Sequence, residues 1–177
     1  KGDIMEALEN LLTRRSIRDF DENRMPDSKT IELIAKAGTY APCSRGRQSG
    51  RIIAITNKEV RDRLSKLNAY YFGVDSDPFY NALVVFAVLV DRSINNHMYD
   101  GPLIMGNLLN AAHALGLGSC WIHRAKEIFD SDEGKQMLKD WGVHGDYEGI
   151  GFCVVGYSSK DAPLAKPRKD DFVVYVK

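Results

Sequence analysis

Ala82-Leu83-Val84-Val85-Phe86-Ala87-Val88-Leu89-Val90 is the longest uninterrupted apolar run in the chain, and at nine residues it is too short for a membrane helix, which takes about 20. It is rich in β-branched residues and continuous rather than alternating, the pattern of a strand covered on both faces. Such a strand needs helices on each side of its sheet, and the flanking sequence supplies them. Downstream, apolar residues at Ile104, Leu108, Ala111, Ala112 and Leu115 predict the strongest helix, from about Asp100 to Leu115, with Gly116 as its stop. Upstream, Ile31, Ile34, Ala35 and Gly38 repeat at helical spacing behind a Pro26-Asp27-Ser28 start, and Ile4, Leu8, Leu11 and Leu12 mark one face of an opening helix. Val60, Leu64 and Leu67 predict a short helix. A charged helix carries Met137, Leu138 and Trp141 inward and ends at Gly142. Arg51–Thr56, Ser119–Ile122, Gly149–Tyr157 and Phe172–Val176 read as further strands. Strict β-α-β alternation is absent, so the expected class is α+β, a mixed central sheet flanked by helices.

The chain has 177 residues and no repeat, low-complexity tract or linker, which predicts a single domain over 1–177. Hydrophobic residues at 44% and charged residues at 27% are ordinary for a globular protein. Lysine plus arginine and aspartate plus glutamate are 24 each, so the net charge is zero and no nucleic-acid partner is expected. No charged-then-apolar leader opens the sequence, and Cys43, Cys120 and Cys153 are odd in number and widely spaced. Both features fit reduced thiols in a cytoplasmic protein without membrane attachment.

Nine basic residues fall in three tight groups: Arg14, Arg15 and Arg18; Arg45, Arg47 and Arg51; Lys166, Arg168 and Lys169. Charge clusters are commonly solvated patches, but Arg14-Arg15-Ser16 offers guanidinium forks and a hydroxyl directly after a helix, a chemistry matched to phosphate oxygens. Lys166-Pro167-Arg168 projects two cations from a backbone stiffened by proline. Ala41–Gln48, between a helix and a strand, is dense in small and hydrogen-bonding residues. Cys120 and His123 lie three apart, yet no further Cys or His has the paired spacing of a metal site, and on a strand the two side chains face opposite ways. Gly142–Gly151 leads into a strand, so the dinucleotide fingerprint fails on context. With no acid/base or nucleophile constellation of its own, the chain is expected to borrow a cofactor with a phosphate tail.

Taken together, these segments resemble the FMN-dependent nitroreductase family, and in particular its smaller members. The resemblance is carried by Arg14-Arg15-Ser16-Ile17-Arg18-Asp19-Phe20, by Ala41-Pro42-Cys43-Ser44 with Gln48, by Asn107–Ile122, and by Gly151–Tyr157 with Lys166-Pro167-Arg168. It spans nearly the whole chain, in the family's order. It implies an α+β homodimer with two FMN molecules at the subunit interface and a C-terminal segment extending to the partner. NADH or NADPH would reduce FMN, which would then reduce nitroaromatics, quinones or similar acceptors, with no catalytic side chain; a flavin-binding redox sensor with little turnover is the alternative. By motif position, Arg14, Arg15 and Ser16 would bind the phosphate and ribityl end with Lys166 and Arg168. Arg18 would lie near the flavin N1/O2 edge and Asn68 near the pyrimidine edge. Pro42, Cys43, Ser44 and Gly46 would reach across from the partner, and the backbone at Ile122, His123 and Arg124 would face N5/O4. The chain departs from the family pattern at Gly46, where asparagine is common, and at Ser49-Gly50, which stands for Pro-Trp. Asn81-Ala82-Leu83 stands for Gly-Ala-Pro, and His123-Arg124 falls where many relatives have glycine.

Overall fold

The computed structural model describes residues 6–177. Its elements in chain order are α1 (Ala7–Thr13), α2 (Ser28–Thr39), a 3-10 turn (Ser44–Gly46), β1 (Gly50–Ile55), α3 (Lys58–Phe72), β2 (Val84–Asp91), α4 (His97–Ala114), β3 (Gly118–Ile122), α5 (Ala125–Asp130), α6 (Asp132–Asp140) and β4 (Tyr147–Gly156). The sheet runs β1-β2-β4-β3, and each neighbouring pair is antiparallel. Its one parallel component is an isolated bridge between Ser16 and Ser119 along the outer edge of β3.

The continuous apolar run is β2, the strand between β1 and β4, and alternation divides its side chains between two cores. Val85, Ala87 and Leu89 face Leu64, Ile128, Phe129, Met137 and Leu138 of α3, α5 and α6. Val84, Phe86 and Val88 face Ile31, Ile34, Ile104, Met105 and Leu108 of α2 and α4. The α+β class with helices on both faces therefore follows from β2. Antiparallel pairing does not, because period-two burial is blind to strand direction.

Local chemistry sets the helix boundaries. The Asp27 and Asn57 side chains accept from the Thr30 and Val60 amides at 2.9 and 3.0 Å, the usual N-cap arrangement. The charged segment predicted as one helix is two. Ser131 closes α5 and caps α6 by accepting from the Gly134 amide at 3.0 Å. The corner is so tight that a Cβ on Gly134 would lie 1.9 Å from the Ile128 carbonyl oxygen.

Two further expectations need correction. Phe172–Val176 is not a strand: its residues are exposed and pair with no strand among the described residues. On α1, Leu8, Leu11 and Leu12 are also exposed, and Asn10 is the buried residue; Ile4 lies outside the described residues. In both segments the apolar pattern is real, but no described residue covers it. The base of the C-terminal segment is tied down, with the Ser159 amide donating to the Asp19 carbonyl at 3.1 Å and Lys160 paired with Asp19. Beyond it the chain runs exposed to Lys177. No helix of the described residues is long and apolar enough to cross a membrane.

Candidate cofactor site

The segment after α1 is stitched to β3. Alongside the Ser16–Ser119 bridge, the Ile17 amide donates to the Ser119 carbonyl at 3.0 Å. A Cβ on Gly118 would meet Ile17 at 2.9 Å, so the segment packs directly on the strand. This brings Arg14, Ser16 and Arg18 around Cys120. Burial pushes the Cys120 thiol up, while the Arg18 and Arg14 charges and the Ser16 hydroxyl oppose that shift. A thiol raised this way stays protonated and is no nucleophile. Arg14 is half-buried, and its Nη1 is fully buried without a hydrogen-bond partner. Arg15 behaves differently from its neighbour. Its Nη1 donates to the Leu12 and Arg14 carbonyls at 2.9 and 2.7 Å, so its guanidinium caps the end of α1.

A cavity of about 550 Å³ opens beside this stitch, and five of the predicted residues line it: Arg18, Asn68, Ile122, His123 and Arg124. Trp121 and His123 share one side of β3, with ring centroids 5.7 Å apart, and Cys120 belongs to the opposite core. Asn68 is buried and donates from Nδ2 to the His123 carbonyl at 2.7 Å, which fixes the β3–α5 turn. One amide N–H is thereby used, and Oδ1 accepts no hydrogen bond from another described residue.

Arg124 ends that turn with a left-handed φ of 75°, a conformation glycine adopts freely and L side chains adopt rarely. Its Nη1 donates to Glu127 at 2.8 Å, so the charge at this position is paired. Two of the other departures from the family pattern also fall on left-handed backbone. Gly46 and Asn81 have φ of 65° and 63°, and glycine and asparagine are the residues that visit this region most readily.

Sequence reasoning misses the wall formed by Pro78, Tyr80, Met98, Pro102 and Ile150. Pro78 and Tyr80 belong to a turn built on Asp77. Its Oδ1 accepts from the Ser65 hydroxyl at 2.5 Å and the Phe79 amide at 2.9 Å; its Oδ2 accepts from the Asn81 amide at 2.8 Å and from Arg61. Burial alone would raise the Asp77 carboxyl, but these donors outweigh it and hold it below the ordinary aspartate value. Ile150 is the extra residue of a bulge, where the β2 register passes from Val88–Gly151 to Leu89–Gly149. Glu148 at the rim is paired with Lys126 at 3.0 Å and Arg92 at 3.2 Å. Burial would raise its carboxyl too, and these hydrogen bonds keep it low.

Three predicted groups do not line this cavity within one chain. Arg14, Arg15 and Ser16 lie on the segment stitched to β3, outside the lining. Pro42 and Cys43 precede the 3-10 turn that holds Ser44 and Gly46, next to the start of α4, and all four lie outside the lining. Lys166 and Arg168 are exposed, and neither makes a hydrogen bond or ion pair with another described residue.

The model of the nitroreductase family matches residues 11–70, which contain the Arg14–Arg18 segment and Asn68. An Archaeoglobus fulgidus protein named as an NADH dehydrogenase/NAD(P)H nitroreductase is 31% identical over 140 residues, covering 76% of this chain and 75% of its own length. This chain belongs to the nitroreductase family. Another nitroreductase-named relative, from Methanothermobacter thermautotrophicus, is 29% identical over 121 residues, covering 66% of this chain and 60% of its own. The nitroreductase fold is matched across nearly the whole chain by solved structures. A nitroreductase with bound FMN from Bacteroides fragilis gives a TM-score of 0.84 at 24% identity, covering 98% of this chain and 100% of its own. One from Desulfitobacterium hafniense, also with bound FMN, gives 0.85 at 24% identity over 99% and 100%.

Proposed function

We propose that this nitroreductase-family chain is an FMN-dependent oxidoreductase that takes electrons from NADH or NADPH and delivers them to nitroaromatics, quinones or similar electron-poor molecules. Donor and acceptor use the same cavity in turn, in a homodimer with FMN at the interface. The observation that carries this reading is the Arg14 guanidinium. A guanidinium nitrogen buried without an acceptor is costly, and an anionic group beside it removes the cost. Arg14 and Ser16 would hold the phosphate and ribityl end, Arg18 the N1/O2 edge, Asn68 the pyrimidine edge through its Oδ1, and the main chain of Ile122, His123 and Arg124 the N5/O4 side.

When bound, FMN supplies the hydride and electron transfer that no side chain here can perform. The protein's part is to orient and to exclude water. Asn68 keeps the β3–α5 turn in one shape, and Phe72, Pro78, Tyr80 and Met98 give the cavity apolar walls. The exposed Leu8, Leu11 and Leu12 and the C-terminal segment with Phe172, Tyr175 and Val176 supply apolar surface suited to a second copy. From the partner, Pro42, Cys43, Ser44 and Gly46, with Lys166 and Arg168, would complete the site.

The test is reconstitution with FMN followed by addition of NADH or NADPH, monitoring loss of flavin absorbance and turnover of a nitroaromatic. Retained absorbance with both nucleotides would refute the reading. Arg14→Ala and Arg168→Ala are each expected to weaken FMN binding by about 1.5–3 kcal/mol, the worth of a charged hydrogen bond. This corresponds to roughly 10- to 150-fold in dissociation constant, measured by flavin fluorescence titration.

A further inference from the structure

Asp100, in the first turn of α4, is 2% exposed, and a carboxyl so excluded from water needs donors of its own. Both of its oxygens find them in one loop. Oδ1 accepts from the Ser44 amide at 2.9 Å and Oδ2 from the Ser49 hydroxyl at 2.6 Å. Asn96, just before α4, donates from Nδ2 to the Ser44 hydroxyl at 3.1 Å, and the Ser49 carbonyl accepts from the Asp91 amide at 2.9 Å. One turn beyond Asp100, Ile104 presses on the loop exit: a Cβ on Gly50 would lie 2.1 Å from its Cδ1. Ser49-Gly50 is thus a fitted pair, a hydroxyl for Asp100 and a bare backbone for Ile104.

Between these clamps the chain takes a shape it would not hold alone. Arg45, Gly46 and Gln48 have φ of 54°, 65° and 52°, and such backbone persists where the surroundings over-determine it. The loop does not line its own chain's cavity, whereas Met98 and Pro102, flanking Asp100 on α4, do.

We infer that Asp100 is a positioning residue for FMN binding, setting the 42–48 loop so that it completes the site of the partner subunit. This rests on the functional reading above. The test uses co-expressed, differently tagged subunits and FMN titration by flavin fluorescence. As homodimers, Asp100→Asn and the milder Ser49→Ala are each expected to raise the FMN dissociation constant about tenfold or more and about threefold, respectively. In the mixed dimer of Asp100→Asn with Arg14→Ala, one composite site joins both defects and the other is assembled from intact parts. One FMN per mixed dimer should therefore bind with wild-type affinity, a rescue that general destabilisation cannot produce. Wild-type affinity in both the Asp100→Asn and Ser49→Ala homodimers would overturn the assignment, as would a mixed dimer no better than its parents. A wild-type protein that holds no FMN would instead sink the functional reading, and this inference with it.

Discussion

Asp77→Ala is expected to lose about 3–5 kcal/mol of folding stability, the range for removing one partner of a buried ion pair. The side chain of Arg61 is 10% exposed and that of Asp77 is 24% exposed, so the guanidinium left behind would be nearly dry. Arg61 would keep its bonds to the Ala82 carbonyl and Asp62, at 2.9 and 3.1 Å. The Ser65 hydroxyl and the Phe79 and Asn81 amides would lose their acceptor at the same time. Tyr80 and Asn81 both have left-handed φ, of 53° and 63°, so the turn that places Pro78 and Tyr80 on the cavity wall should loosen. Urea unfolding of wild type and variant measures the effect. The pH dependence has a definite sign. Because the folded Asp77 carboxyl lies below the ordinary aspartate value, its contribution is complete above that value and is lost as pH falls through the lower folded one. Wild type should therefore lose more stability than Asp77→Asn as the pH falls below about 4, and equal losses would contradict the assignment.

The second large effect is Gly149→Ala. A Cβ there would lie 2.3 Å from both the carbonyl carbon and oxygen of Ala125 and 2.7 Å from the Lys126 amide nitrogen. These are backbone atoms of α5, so no rotamer change relieves the clash, and β4 must part from α5. Overpacking of this kind costs about 1–3 kcal/mol, and a backbone neighbour puts Gly149 at the upper end. Gly149 and Ile150 both line the cavity, so binding at that wall should weaken along with the melting temperature. Gly142→Ala is the control: a Cβ there meets nothing within 4 Å and pays only for its φ of 73°. Calorimetry on the two variants separates collision from conformational strain.

Much of the fold is legible in β2, whose continuous apolar run can satisfy both faces only between two helical layers. What burial periodicity cannot reveal is who does the covering. Leu8, Leu11, Leu12 and Phe172–Val176 carry the same kind of apolar signal as Ile31 and Ile34, yet they are exposed in this chain while the latter are buried. The α5–α6 break had a readable sign in Ser131, an N-cap type followed by Asp132 and Glu133. Within the candidate site, Arg14 and Arg15 are identical in type and adjacent in sequence. Only coordinates separate the unpartnered guanidinium from the one that caps a helix. Pro78 and Tyr80 were beyond sequence reasoning because their placement depends on Asp77 meeting Arg61 and Ser65, 16 and 12 residues away.

The seam between Ser16 and Ser119 makes one mechanical body of the cationic corner and the wall that would cradle the ring. Substitutions on its two sides should therefore not sum: once either flank has frayed, the other has already lost its footing, and a second change has little left to remove. Attempts to apportion affinity between tail and ring by combining variants from these two segments would undercount both.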